Sequence, residues 1–131
     1  MREMPVGTKG SFTMTVAPQH LASTVDDALP EVLATGWMII IMERAAMEAI
    51  RPFLEPGETS VGVAMSVQHL AATPPGHVVR ATAEFIKAEG WRLEFKVDAR
   101  DENEVIGSGT HQRAVIDPAK FKQRLLAKVK R

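Results

Sequence analysis

This sequence of 131 residues lacks three features, and each absence narrows its possible roles. It has no cysteine, which excludes disulfides, thiolate nucleophiles and cysteine-ligated metals. It has no net charge, because 16 basic side chains balance 16 acidic ones, so a broad nucleic-acid-binding surface is not expected. No apolar run approaches the ~20 residues of a membrane span, and no signal-peptide core is present. These absences predict one cytoplasmic domain spanning residues 1–131.

The chain is organised around the stretch Pro30–Leu54. Between Gly36 and Ile50 it contains no proline and is dense in Met, Ile, Ala and Glu, which predicts a helix of about four turns. Trp37–Met42 is apolar without a break, so this part of the helix should be buried on nearly every side. The turn Glu55–Glu58 ends the element.

Strands are predicted on both sides of this helix. Before the helix, apolar and polar residues alternate over Ser11–Val16. Ala17–Leu29 is a loop long enough to cover part of the domain. After the helix the period switches to two residues, with turns between the segments. The strands predicted there are Val61–His69, His77–Lys87, Trp91–Arg100 and Glu104–Ile116.

A final helix is predicted from Asp117, which is placed as the N-cap, with Pro118 at the first helical position. The basic run Lys120–Arg131 is either the solvated face of this helix or a phosphate-binding surface.

The order of these elements predicts the architecture. Short connections favour antiparallel neighbours, and a helix that is apolar almost all round needs a concave partner. We therefore predict an α+β fold, a single antiparallel sheet wrapped around one long central helix. Trp37–Met42 carries more apolar surface than one small sheet covers, which predicts a dimer whose second subunit completes the burial.

Glu43 is the first candidate functional residue, because it lies among apolar positions of the predicted helix. At 100° per residue its neighbours include Ile39, Ile40 and Met47. Burying a carboxylate is costly unless it has a partner or a task. Glu43 is therefore either a structural acid, paired with an arginine or capped by backbone groups, or a general base or nucleophile.

Four more side chains belong to the same hypothesis. His69 continues the apolar face of its strand, so it is either a satisfied core histidine or a proton carrier. Thr35, at the helix entry, is either an N-cap or lies beside free N–H groups that can accept an anionic oxygen. His111 and Arg113 share a face of the last strand, where a positive charge either neutralises Glu43 or binds substrate.

The remaining candidates are weaker. Gly62 faces away from the valines of its strand and relieves crowding or allows a bulge. His20 and His77 lie in loops, and the four histidines are too scattered for a recognisable metal-ligand spacing. The sequence contains neither a phosphate-binding glycine loop nor a nucleophile elbow.

Taken together, these segments resemble the hot-dog-fold thioesterases, and most closely the fluoroacetyl-CoA thioesterase family. The resemblance runs from about Pro30 to Ile116. Its matching blocks are PEVLATGWM with MERAAMEAI, the turn LEPGE, VQHLAATPPG and GSGTHQRAVI. The resemblance implies a dimer of hot-dog subunits with acyl-CoA sites at the interface. The implied reaction is hydrolysis of a short acyl-CoA to the free acid and CoA, with no metal or organic cofactor.

The resemblance also implies roles for five residues. Thr35 matches the threonine of the family's ATG segment and would orient the reacting groups. Glu43 matches the helix glutamate, as base or nucleophile, and His69 matches the histidine before the AATPPG turn, as acid or hydrogen-bond donor. Gly62 matches a glycine at the start of the strand leading to that histidine. Arg113 matches the arginine of the GTHxRAV segment, which helps recognise the substrate's α-substituent.

This chain departs from the family in one segment. The fluoroacetyl enzyme has a longer, aromatic-bearing lid, whereas Ala22–Leu29 contains no aromatic residue. The resemblance therefore supports short acyl-CoA hydrolysis more than fluoroacetyl selectivity. The alternatives are an enoyl-CoA hydratase-like enzyme and a non-catalytic acyl-CoA-binding or sensing protein.

The predicted helix also separates two of the candidate residues. Thr35 and Glu43 are eight residues apart in sequence. That spacing corresponds to about 12 Å along the helix axis. Because these side chains should not meet within one chain, each site is predicted to combine residues from two subunits.

Overall fold

The computed structural model describes residues 1–130, and Arg131, the last residue of the basic run, lies outside the described residues. The strands are β1 (Lys9–Thr15), β2 (Thr59–His69), β3 (Val78–Glu89), β4 (Arg92–Arg100) and β5 (Val105–Ile116). The helices are α1 (Thr35–Ile50) and α2 (Pro118–Val129). Short 3₁₀ turns cover Pro18–His20, Ala22–Thr24 and Arg51–Phe53.

The strands form one five-stranded antiparallel sheet in the order β1-β3-β4-β5-β2. α1 packs against β1, β3, β4 and β2, so the predicted α+β arrangement of one sheet around one long helix is confirmed. The most intimate contact is with β1, where a Cβ at Gly10 would overlap with the backbone of Ala45 and Ala49. Small residues on both elements therefore let the helix lie directly on the sheet.

The core lies between α1 and the inner face of the sheet. Alternate residues of β3 and β4 point into it, from Val79 to Phe85 and from Leu93 to Ala99, as their period of two predicts. Trp91 is an exception: it was predicted to share this face, but it lies in the β3–β4 turn and is 62% exposed. β3 extends to Glu89, so the turn is formed by Gly90, at a φ of 59°, and Trp91.

The central helix is less completely covered than its sequence predicts. Met38, Ile41 and Met42 are fully buried, but Ile40 is 39% exposed and Trp37 is only partly buried. Burial of Trp37–Met42 on nearly every side is therefore wrong for a single chain. One side of this segment is left without a covering partner.

β2 is one edge of the sheet, and its alternation is interrupted. The register with β5 shifts between Gly62 and Ala64, as it does at a β-bulge. Gly62 lies opposite Arg113, while Met65 lies opposite His111. The extra residue brings Gly62 to the helix-facing side together with Met65, so the prediction of one uninterrupted alternating face for β2 is wrong at this point.

α2 begins as predicted, since the Asp117 side chain accepts a hydrogen bond from the backbone N–H of Ala119 at 2.9 Å. None of its residues is buried. Within residues 1–130, the structure contains no helix with both the length and the apolar character of a membrane span.

Candidate active site

Thr35 and His69 form the first part of the site. Thr35 is the first residue of α1 and His69 is the last residue of β2. The Thr35 hydroxyl lies 2.8 Å from Nδ1 of His69. The N-cap of α1 is Ala34, so the interpretation of Thr35 as a cap is wrong. Its hydroxyl is bonded to the imidazole.

Backbone hydrogen bonds hold the two chain segments that carry this pair. The N–H of Leu33 donates to the carbonyl of Thr73 at 2.8 Å, which ties the approach to α1 to the loop after β2. Leu70 donates to Ile106 at 2.7 Å. The buried hydroxyl of Thr73 donates to Asp101 at 3.0 Å, which fixes that loop to the β4–β5 hairpin. Thr35 and His69 are thus brought together by contacts far apart in sequence.

The His69 ring has one engaged nitrogen. Nε2 is buried and makes no hydrogen bond within residues 1–130. Burial lowers the pKa of His69, and the backbone of Ala71 acts in the opposite direction. A buried imidazole nitrogen without a partner is costly. Nε2 is therefore the atom of this pair that a group from outside the chain would satisfy.

Glu43 and Arg113 form the second part of the site. Oε2 of Glu43 accepts a hydrogen bond from Nη1 of Arg113 at 3.2 Å. Arg113 also donates to the hydroxyl and the carbonyl of Ser60, both at 3.0 Å, and only 3% of it is exposed. Burial lowers the pKa of Arg113, whereas Glu43 raises it. The alternative in which a positive charge neutralises Glu43 is therefore observed.

The ion pair does not exclude Glu43 from solvent. Its side chain is 36% exposed and lines a cavity of about 210 Å³. The cavity is also lined by Ile39, Gly62, Val63, Ala64, Met65 and His111. Arg113 bonds to one carboxylate oxygen, so the other is not taken by the guanidinium. A carboxylate in this position is held in one direction and remains accessible to a small group.

Gly62 is required by this geometry. A Cβ there would overlap with Oε2 of Glu43 and would contact His111 and Arg113 at 3.5 and 3.6 Å. The bulge and the missing side chain together let the carboxylate approach β2. The sequence pattern placed Gly62 on the face opposite the strand's valines. Because of the bulge, Gly62 instead lies on the same face as Met65 and Val67.

Sequence reasoning missed one residue of this arrangement, Ser60, and the contacts of another, His111. Ser60 bonds to Arg113 through its hydroxyl and its carbonyl. His111 was placed on the face of Arg113 but given no partner, and it lies between Ala64 and Arg113. The shared face was the available signal for His111. Nothing in the sequence pointed to Ser60.

The two parts of the site are separate within one chain. The structure brings Thr35 to His69, and it brings Glu43 to Gly62 and Arg113. Among residues 1–130, no hydrogen bond or ion pair links the two parts. No group of three or more His, Asp or Glu side chains in this range is arranged to hold a metal ion.

Comparison with known proteins decides the family. Residues 16–119 match the family model of the fluoroacetyl-CoA-specific thioesterases. The chain belongs to this family. The fluoroacetyl-CoA thioesterase of Streptantibioticus cattleyicolor is 52% identical over 99 residues, which are 76% of this chain and 71% of that protein. The resemblance inferred from the sequence blocks is confirmed.

Solved structures of thioesterases agree in fold. The fluoroacetyl-CoA thioesterase FlK superposes with a TM-score of 0.90 at 43% identity, covering 96% of this chain and 98% of that chain. Another FlK structure, of a threonine-to-serine mutant, contains acetyl-CoA. A thioesterase superfamily member from Thermus thermophilus superposes with a TM-score of 0.90 at 34% identity, covering 99% of this chain and 96% of that chain.

Proposed function

We propose that this chain hydrolyses a short acyl-CoA, with or without an α-substituent, to the free acid and CoA. The observation that carries the proposal is the bond between Thr35 and His69, which leaves a buried Nε2 without a partner in a chain of a thioesterase family. A relative that contains acetyl-CoA supports the substrate class. A cytoplasmic location, where acyl-CoA thioesters are made and used, goes with this substrate.

The proposed reaction uses three side chains. Glu43 attacks the thioester carbonyl to give an acyl-enzyme anhydride that water then hydrolyses, or it takes a proton from a water that attacks directly. In both cases the carbon–sulfur bond breaks, His69 passes a proton to the leaving thiolate, and the proton lost by the attacking water returns to His69. Thr35 orients the imidazole through the bond at Nδ1. Backbone N–H groups near Gly62 or at the start of α1 stabilise the developing oxyanion.

Gly62 and Arg113 are the proposed substrate-binding residues. Gly62 borders the cavity beside Glu43. Arg113 makes four hydrogen bonds, to Ser60 twice, to Glu43 and to His111. Because a guanidinium has five N–H groups, one remains for an electronegative α-substituent. Because only one N–H is free, the α-substituent that fits this site is a small polar group rather than a bulky one.

We further propose that each site combines two subunits. β2 is an 11-residue edge strand without lysine or proline, which is the kind of edge that pairs with another chain. Antiparallel pairing of two such edges, centred between Met65 and Ser66, would set Gly62 of one subunit opposite His69 of the other. Glu43, which lies against Gly62, would then reach the free Nε2.

The experiment that tests the activity follows thiol release from a panel of short acyl-CoAs. We expect Glu43→Ala to reduce turnover by about a thousandfold, the size of a lost general base. Glu48→Ala is the matched control: this helix glutamate pairs with Arg51 on an exposed surface, and its loss should leave turnover unchanged. Equal rates for both variants would contradict the proposal.

One observation favours a second candidate, a non-catalytic acyl-CoA-binding or sensing protein. The ion pair with Arg113 occupies one oxygen of Glu43, as expected for a carboxylate with a purely structural role. Calorimetry with the same panel separates the two candidates. Binding of an acyl-CoA without thiol release would favour the sensor.

A further inference from the structure

His111 makes two hydrogen bonds that fix its protonation. Its side chain is on a residue only 2% exposed, with Nδ1 2.8 Å from the carbonyl oxygen of Ala64 and Nε2 3.1 Å from Nη1 of Arg113. A carbonyl only accepts, so Nδ1 carries the hydrogen. A guanidinium only donates, so Nε2 presents its lone pair. The geometry therefore requires a neutral imidazole in one tautomer.

The bond to His111 completes a set that fixes all three guanidinium nitrogens of Arg113. Ser60 holds Nε and Nη2, while His111 and Glu43 both accept from Nη1. A lone ion pair leaves its partners angular freedom, whereas a planar guanidinium bonded on three sides has one orientation. The direction of the Glu43 carboxylate is then set by groups on β2 and β5.

We propose that His111, together with Ser60, is a positioning residue, which holds Arg113 so that Glu43 presents its carboxylate to the reaction in one direction. This inference rests on the proposed thioesterase function. The link to Ala64 adds a second constraint, because Ala64 lies at the bulge of β2. His111 thereby keeps the bulge next to Gly62 in register with the guanidinium.

Charge around His111 favours the same state. Burial lowers the pKa of His111, and the bond that it donates to the Ala64 carbonyl raises it. Of the two charged groups that face the ring, Arg113 lowers this pKa and Glu43 raises it. The net direction is downward, so the ring is neutral near pH 7. Protonation would place an N–H of His111 against an N–H of Arg113 and break the bond between them.

Nuclear magnetic resonance on the wild-type protein tests the geometry without any turnover. In ¹⁵N-labelled protein near pH 7, we expect His111 to be a neutral imidazole protonated at Nδ1, with slowly exchanging N–H protons on Arg113. An imidazole protonated at Nε2, or one that is cationic at pH 7, would overturn the inference. If no acyl-CoA is hydrolysed, the proposed function fails while this result still decides the geometry.

Variants test the effect on Glu43. We expect His111→Phe, which keeps a ring but removes both bonds, to shift the ¹³C resonance of the Glu43 carboxyl carbon and to lower kcat. The expected loss is about tenfold to a hundredfold, as for a misplaced catalytic group, with KM changed less than about threefold. His111→Gln, which keeps an acceptor for Arg113, should recover part of kcat.

The matched control is His77→Phe, the same replacement just before β3, which should leave both the Glu43 resonance and kcat unchanged. Circular dichroism and melting temperature show whether each variant folds, and His111→Gln serves where His111→Phe does not. A folded His111 variant with wild-type kcat, or with a change in KM alone, would overturn the inference.

Discussion

The two halves of the candidate site differ in how completely they are bonded. Around Arg113, two serine atoms, a histidine nitrogen and a carboxylate oxygen are all engaged within one chain. Around His69, one ring nitrogen bonds to Thr35 while the other, which is buried, has no partner within residues 1–130. The half around Arg113 keeps only one guanidinium N–H unbonded, whereas the half around His69 leaves a buried ring nitrogen without a partner. Under the proposal of a shared site, a second subunit or a substrate would supply the missing partner of His69.

This difference assigns distinct kinds of work to the two halves. The cluster of hydrogen bonds around Arg113 holds its charge in place and resists rearrangement, because each bond constrains the others. A half-bonded imidazole keeps an atom for proton transfer. The comparison predicts that the halves act together only across a subunit interface.

Mixing two inactive variants tests the interface most directly. We expect Glu43→Ala and His69→Ala to be inactive alone and to recover about a quarter of wild-type turnover when unfolded together and refolded in equal amounts. Half of the resulting dimers would contain both variants, and each of these has one intact site. Thiol release per subunit is the measurement.

The control for this experiment mixes Thr35→Ala with His69→Ala. These residues lie in the same half of the site, so no mixed dimer has an intact site and turnover should stay low. Recovery in the control, or none in the first mixture, would show that the halves are not shared between subunits. A monomer that is fully active at high dilution would show the same.

Gly62→Ala tests how closely the Glu43 carboxylate packs against β2. Because the new Cβ would overlap with Oε2 of Glu43, the carboxylate has to move, and kcat should fall by about a hundredfold. Because the overlapping atom is the end of a flexible and partly exposed side chain, the free energy of unfolding should change by less than about 1 kcal/mol. Denaturant titration and thiol release measure the two effects.

Gly36→Ala is the stability control, since a Cβ there meets no atom within 4 Å. In a helix this change should leave the free energy of unfolding equal or higher. If Gly62→Ala unfolds at the wild-type denaturant concentration with wild-type kcat, the carboxylate is not confined as described.

The pH dependence of stability gives the smallest effect. Burial lowers the pKa of both His69 and His111, so the folded state resists their protonation while the unfolded state takes up protons below about pH 6.5. Stability should be level above that pH and fall as the pH decreases from 6.5 to 5.5. We expect the His69→Gln, His111→Gln double variant to lose less stability over this range.

Melting temperatures at pH 7.5, 6.5 and 5.5 measure this slope. The range lies above the ordinary pKa of carboxyl groups, which therefore add little to it. A double variant with the full wild-type slope would mean that neither ring is held neutral by the fold.

Elements whose signal is local could be predicted from the sequence. α1 follows from an unbroken run of helix-compatible residues, and β4 from strict alternation between Leu93 and Ala99. The cap at Asp117 follows from one residue and the proline after it. Glu43 was found because a carboxylate among apolar neighbours is unfavourable without a purpose.

Features that depend on register could not be predicted. Ser60 meets Arg113 across 53 residues, and Thr73 meets Asp101 across 28. Both contacts depend on how strands align, which alternation alone does not specify. The bulge beside Val63 was one of the two alternatives given for Gly62, and choosing between them depends on the same alignment. The alternative that made Thr35 a cap is wrong, because whether Thr35 or Ala34 precedes the helix depends on the loop before it.

The edge formed by β2 has a consequence for the life of a newly made chain. Its 11 residues include no Lys, Arg, Asp, Glu or Pro, so nothing along it repels a foreign strand. While this edge is unpaired, it can pair with a strand of any other chain, and such pairing starts aggregation. If the proposed dimer forms through this edge, the time that a subunit spends alone determines how much of it aggregates. A charged residue placed there would then reduce aggregation and association together.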